Sequence, residues 1–134
     1  MAWFLDTNMV VFCLRGKSAE VMRQLNATPA SEVFIPAQVR AELLVGAAKS
    51  ARAAQNKSAV LSFIAPFTVV WPDEQTADHY VSIRVDLEAR GQVISEADLW
   101  IAATTRSQNG ILVTNNTSEF QRVSGLPVED WSKL

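Results

Sequence analysis

The chain predicts an α/β fold, with a central, mostly parallel sheet of four to five strands flanked by helices. Three observations point there. Four short runs, AWFL (2–5), EVFIP (32–36), FTVVW (67–71) and GILVT (110–114), are rich in Val, Ile, Phe and Trp. Their apolarity is continuous rather than alternating, which suits strands covered on both faces. Helical patterns separate them, and strands alternating with helices make a parallel sheet.

Each element has a local reason. Residues 7–15 read as a short helix after the first strand. Ser18 is placed to cap a second helix over 19–27, and Thr28-Pro29 stops it. Residues 36–54 read as one long helix opened by Pro36, a good first-turn residue, and sustained by the Ala-rich stretch AAKSARAAQ. A further helix over 56–65 ends at Pro66. The helix over 73–90 follows Pro72 and stops at Gly91, a suitable residue just past a helix end. Ser95 caps 96–108, and Asn109-Gly110 ends it. A fifth short strand is expected within LPVEDW (126–131). No internal repeat, linker or low-complexity stretch interrupts the pattern.

Bulk properties bound the function. The 134 residues suit one domain spanning 1–134. Hydrophobic residues make up 49% and charged residues 19%, enough for a substantial core. A net charge of −2 argues against binding nucleic acid through a broad basic surface. It leaves room for a nuclease, since bound cations can meet phosphate where side chains do not. Cys13 is the single cysteine, so no internal disulfide forms, and a reducing cytoplasmic setting is expected. Neither a signal peptide nor an apolar run of membrane-spanning length is expected.

The chemistry lies in carboxylates set among apolar residues. Asp6 stands in WFLDTN (3–8), Glu42 in VRAELLVGA (39–47) and Asp98 in EADLWIAATT (96–105). Burying such groups is costly unless a partner offsets the charge, and a hard divalent cation does so with oxygen ligands. In open α/β sheets, ligands bind beyond the carboxyl ends of the strands, where Asp6 and the Asn115-Asn116 pair fall. Each acid also has a plainer reading. Asp6 suits an N-cap. Glu42 suits a half-exposed helix charge paired with Arg40 or Lys49. Asp98 suits the favourable dipole of a first turn. Asn116 or Thr117 suits the cap of a short helix that includes Glu119. His79 lies on a long helix away from the acids and reads as structural or surface, with RNA contact as the alternative. Arg15, Lys17, Arg23, Arg40, Lys49, Arg52 and Arg84 read as solvated charge with RNA guidance as the alternative. Trp100 reads as core, or as lining a groove or dimer seam.

Taken together, LDTN (5–8), AEL (41–43), ADLWIAA (97–103), LVTNNTSEF (112–120) and the ending GLPVEDW (125–131) resemble the PIN domain. In detail they resemble the VapC-type toxin ribonucleases of VapBC toxin–antitoxin systems. The resemblance covers nearly the whole chain. It implies a three-layer fold with strand order 3-2-1-4-5 and a Mg²⁺- or Mn²⁺-dependent endoribonuclease. Such ions would acidify a water and offset phosphate charge, so no protein nucleophile is needed. It also implies a homodimer, an inhibitory VapB-type antitoxin that alone carries DNA binding, and an RNA substrate. Structured RNA, tRNA among it and the initiator tRNA anticodon loop at the narrowest, is the expected target.

Carried over residue by residue, the family's metal-binding acids fall on Asp6, Glu42 and Asp98. The fourth acidic position falls on Asn116, a departure that Glu119, one helical turn onward, could make good. Thr7, Asn8 and Thr114 match the polar residues around the acids. Two other classes compete. A phosphoaspartate phosphatase or receiver also places an Asp after its first strand, but the first wants a second Asp where Asn8 stands. A catalytically inactive PIN-like binding platform is favoured by Asn116 and opposed by the intact Asp6, Glu42 and Asp98.

Overall fold

The computed structural model describes residues 1–133. In chain order the elements are β1 (Trp3–Leu5), α1 (Thr7–Leu14), α2 (Ala19–Asn26), a 3₁₀ turn (Ala30–Glu32) and β2 (Val33–Pro36). Next come α3 (Ala37–Lys49), α4 (Ala53–Ile64), β3 (Thr68–Val70), α5 (Glu74–Ala89) and α6 (Glu96–Ser107). The chain closes with β4 (Ile111–Val113), α7 (Thr117–Phe120), β5 (Val128–Glu129) and a second 3₁₀ turn (Trp131–Lys133). The sheet order is β3-β2-β1-β4-β5, and every neighbouring pair is parallel. Both the α/β class and the 3-2-1-4-5 order match expectation.

Successive strand residues face opposite sides of a sheet. Phe4 and Leu5 are each 1% exposed, and Leu112 and Val113 are both 0% exposed, so both faces are covered. That explains the unbroken apolar runs. Trp131, from the final turn, is wholly buried and packs on Trp3 at 5.5 Å between ring centroids.

Caps fall where the sequence places them. Ser18 accepts from the Val21 N–H and Ser95 from the Asp98 N–H. Asp73 and Thr76 form a reciprocal capping box at the start of α5. The long helix over 36–54 is not continuous. Pro36 ends β2 and stands just before the first turn, and α3 stops at Lys49. Ser50 is extended, its hydroxyl donates to the Ala47 carbonyl at 2.6 Å, and it accepts from Asn56 Nδ2 at 2.9 Å. Helix α4 then starts at Ala53, three residues earlier than expected, and packs back against α3. Alanine favours helix but has little side chain to bury. A turn that brings Val60 and Ile64 into the core outweighs the propensity of a straight rod.

No helix among the described residues is long and apolar enough to cross a membrane.

Candidate active site

The carboxyl ends of β1 and β4 lie side by side, and their pairing places Asp6 next to Thr114. The Asp6 N–H continues the ladder by donating to the Val113 carbonyl at 3.1 Å. Asp6 is 5% exposed and does two jobs. Its Oδ1 caps α1 by accepting from the Met9 N–H at 2.9 Å, so the plain cap reading also holds. Its Oδ2 accepts from the hydroxyl of the fully buried Thr114. Thr114 Oγ1 in turn accepts from the Asn116 N–H at 2.9 Å.

Asn116 occupies the cap position of α7, yet its side chain makes no capping bond. Instead its Nδ2 donates to Glu119 Oε2 at 2.6 Å. Glu119 lies near enough to Asp98 for its charge to raise the Asp98 pKa. Asp98 sits in the first turn of α6, half-buried. Glu42, from α3, forms no ion pair with Arg40 or Lys49; its Oε1 accepts from the Thr7 hydroxyl at 2.9 Å.

Asp6, Thr7, Asn8, Glu42, Asp98, Ile101, Asn116 and Phe120 line one pocket of about 150 Å³. Burial pushes the Asp6 carboxyl up to about 6, against the Thr114 and Met9 hydrogen bonds, with smaller upward pushes from Asp98 and Glu42. Asp98 is also raised, first by burial, then by the charges of Glu119 and Glu42. These acids repel one another, and no basic side chain lines the pocket.

The donor set is oxygen only, and it fits a hard divalent cation. Among the described residues no three His, Cys, Asp or Glu side chains are grouped closely enough to chelate one ion outright. A cation here would therefore keep several waters, as Mg²⁺ prefers, and the pocket has room for them.

The structure thus brings Asp6, Glu42, Asp98 and Asn116 around one space, with Glu119 tied in through Asn116. Thr7 and Thr114 each hold an acid, while Asn8 lines the wall without a side-chain hydrogen bond among the described residues. Ile101 and Phe120, the apolar wall, were not anticipated. For Ile101 the signal was spacing, since it lies three residues after Asp98 on the same helical face. Trp100 does not line the pocket; it stacks on Tyr80 at 4.2 Å. His79 accepts from Arg106 Nε at 2.9 Å, which gives it the structural role expected. Arg23 pairs with Glu20 and Arg84 with Glu88, while Arg15 faces a neighbouring groove.

A covered parallel sheet with carboxylates gathered beyond the ends of β1 and β4 defines an α/β protein with an acidic pocket of oxygen donors. The PIN domain family model matches residues 3–126. A tRNA(fMet)-specific endonuclease VapC of Shigella flexneri is 36% identical over 132 residues, 98% of this chain and 99% of that protein. Ribonuclease VapC2 of Haemophilus influenzae is 33% identical over 131 residues, 98% of each. Among solved structures, VapBC2 of Rickettsia felis bound to a promoter DNA fragment superposes with a TM-score of 0.92 at 30% identity. It covers 98% of this chain and 99% of its own. DNA-bound VapBC of Salmonella typhimurium also reaches 0.92, at 33% identity and 98% of each chain. The chain belongs to the PIN-domain family and, within it, to the VapC ribonucleases of toxin–antitoxin systems.

Proposed function

We propose that this chain is the toxin of a type II toxin–antitoxin pair and cuts structured RNA in a Mg²⁺- or Mn²⁺-dependent reaction at the Asp6–Glu42–Asp98 pocket. The observation that carries the reading is the gathering of these acids, from just beyond β1, from α3 and from α6, around one pocket with no basic residue in its lining. A divalent cation supplies Lewis acidity at phosphate and acidifies water. The protein's part is orientation. Asp6 is fixed by Met9 and Thr114, Glu42 by Thr7, and Asp98 by its place in a capped first turn. Asn116 takes the place of an acid and orients Glu119, which restores the fourth negative charge. Ile101 and Phe120 exclude water from the inner wall. The relative in Shigella flexneri supports initiator tRNA as the first substrate to try.

The partner reading is a VapB-type antitoxin. A mainly apolar groove of about 290 Å³ runs between α1, α3 and α4, past Val11, Leu14, Leu43, Gly46, Ala47 and Val60. It is continuous with the acid pocket, because Thr7 and Glu42 line both. An antitoxin segment seated there would reach the carboxylates with an Arg or Lys, and charge-assisted bonds in that half-buried setting would displace the cation. DNA binding then belongs to the antitoxin, in keeping with the toxin's pI of 5.3. A homodimer in the cytoplasm completes the proposal.

The test is cleavage of initiator tRNA by the purified chain with Mg²⁺ or Mn²⁺, with end mapping. Asp98→Asn keeps shape and removes a charge, and it should lose about 10²-fold or more in kcat while remaining folded. Glu119→Gln should lose part of the activity. Full activity in Asp98→Asn would sink the assignment.

A further inference from the structure

Outside the pocket, three arginines tie the segment after α7 to the α5–α6 hairpin. Arg90 ends α5, and its Nη2 bonds both Asp86 Oδ2, at 2.7 Å, and the carbonyl of Arg122. Gln92 holds its Nη1 at 2.7 Å. Arg122 reaches back, with Nη1 donating to the Val93 carbonyl at 3.1 Å in the α5–α6 loop. Arg106, in the last turn of α6, is fixed by His79 Nδ1 and donates Nη1 to the Ser124 carbonyl at 2.9 Å. Among the described residues, neither the Arg122 nor the Ser124 carbonyl accepts from a backbone N–H outside helices and strands.

The placement matters because Asn116, which lines the pocket with Asp98, donates to Glu119 Oε2 at 2.6 Å, so Asp98 and Glu119 reach one site from these two parts of the chain. Asp98 belongs to α6. Glu119 belongs to α7, a four-residue helix without a side-chain cap. Phe120 anchors one side of α7 in the core. The arginine bonds hold the residues that follow it, Arg122 and Ser124, against the hairpin that carries Asp98. We infer that Arg90, Arg106 and Arg122 form a clasp that positions Glu119 against Asp98. This rests on the reading of those two acids as working groups. Arg90 and Arg106 bond backbone carbonyls of the segment, Arg122 bonds a carbonyl of the hairpin, and Asp86 pairs with Arg90, so what these bonds supply is geometry. Arginine suits the task because its rigid fork presents several donors at fixed angles. The three are positioning residues and touch no substrate.

The experiment uses the intact chain, with amide hydrogen exchange over residues 121–126 and steady-state cleavage of tRNA. Arg106→Ala and Arg90→Ala should raise exchange there about tenfold. They should lower kcat about tenfold while KM stays within about twofold. Arg106→Lys keeps the charge and loses the fork, and it should recover only part of either. In a Glu119→Gln background, Arg106→Ala should cost little more, since both changes act through one group. Unchanged exchange, a raised KM at constant kcat, full recovery by lysine, or strict additivity with Glu119→Gln would each overturn the clasp. If an alanine variant does not fold, the lysine variants carry the same readouts. If the wild-type chain cuts no RNA, the functional reading falls, while the exchange measurements still decide whether the arginines hold this segment.

Discussion

At the scale of single residues, Asp6 carries opposed demands. It caps α1, accepts from Thr114 and sits beside two other acids, and burial raises its pKa from 3.8 to about 6. The folded protein therefore binds a proton that the unfolded chain has released between those values. The stability this contributes is full below pH 4 and is lost as pH rises through 6. The shift corresponds to at most roughly 3 kcal/mol. Asp6→Asn keeps a capping oxygen and removes the titration. It should be more stable than wild type at pH 8 by up to about 3 kcal/mol, and similar to it at pH 4. Urea denaturation at the two pH values checks this, and parallel pH profiles would contradict it. Mn²⁺ should reverse the wild-type penalty, raising Tm at pH 8 more than at pH 5, because the ion binds the ionised form. Asp98→Asn should lose most of that rise; equal shifts in both proteins would remove the cation from this pocket.

At the scale of elements, Gly110 shows how the sheet constrains the chain. It opens the turn into β4, and a Cβ there would lie 2.4 Å from Phe4 Cδ1 and 2.5 Å from Cε1. Phe4 cannot yield easily, since it is 1% exposed and stacked on Phe34 at 5.2 Å. Gly110→Ala should therefore cost about 1–3 kcal/mol by overpacking. Because Thr114 directly follows β4, the same change should also weaken the hold on Asp6. Thermal unfolding reads the first effect, and an unchanged Tm would show that Phe4 has room to move. Helices α3 and α4 teach a different lesson. The Ala-rich stretch is helical on both sides of the break, as propensity indicates. The break itself depends on Ser50 bonding back to Ala47 and on what α4 can bury.

At the scale of the whole molecule, the groove between α1, α3 and α4 exists because of that break. A straight helix over 36–54 would not turn Val60 back beside Ala47. Gly46 faces the groove, and a Cβ there meets nothing within 4 Å. Gly46→Leu should fill the groove without disturbing the fold and weaken antitoxin binding by about tenfold or more. Calorimetric titration of antitoxin into Asp98→Asn and Asp98→Asn/Gly46→Leu toxin measures the difference. Equal affinities would place the antitoxin elsewhere.

The sequence by itself determined the alternation of strands and helices, the caps at Ser18 and Ser95, and the acids to watch. Those features are written in local pattern: unbroken apolar runs, capping residues, and carboxylates among apolar neighbours. Asp6, Glu42 and Asp98 were legible as candidates, but each had an ordinary local explanation, and for Asp6 that explanation is also true. Only the tertiary structure decided that the three share a pocket with Asn116, because parallel pairing of β1 with β4 joins residues more than a hundred positions apart. It alone showed Thr7 holding Glu42, Asn116 turned toward Glu119, and three arginines bonded to carbonyls across the α5–α6 hairpin. Such contacts leave no periodic trace in a sequence, since they depend on where distant backbones meet. The division of 36–54 into two helices was likewise decided by burial, which outweighs the small propensity of each alanine.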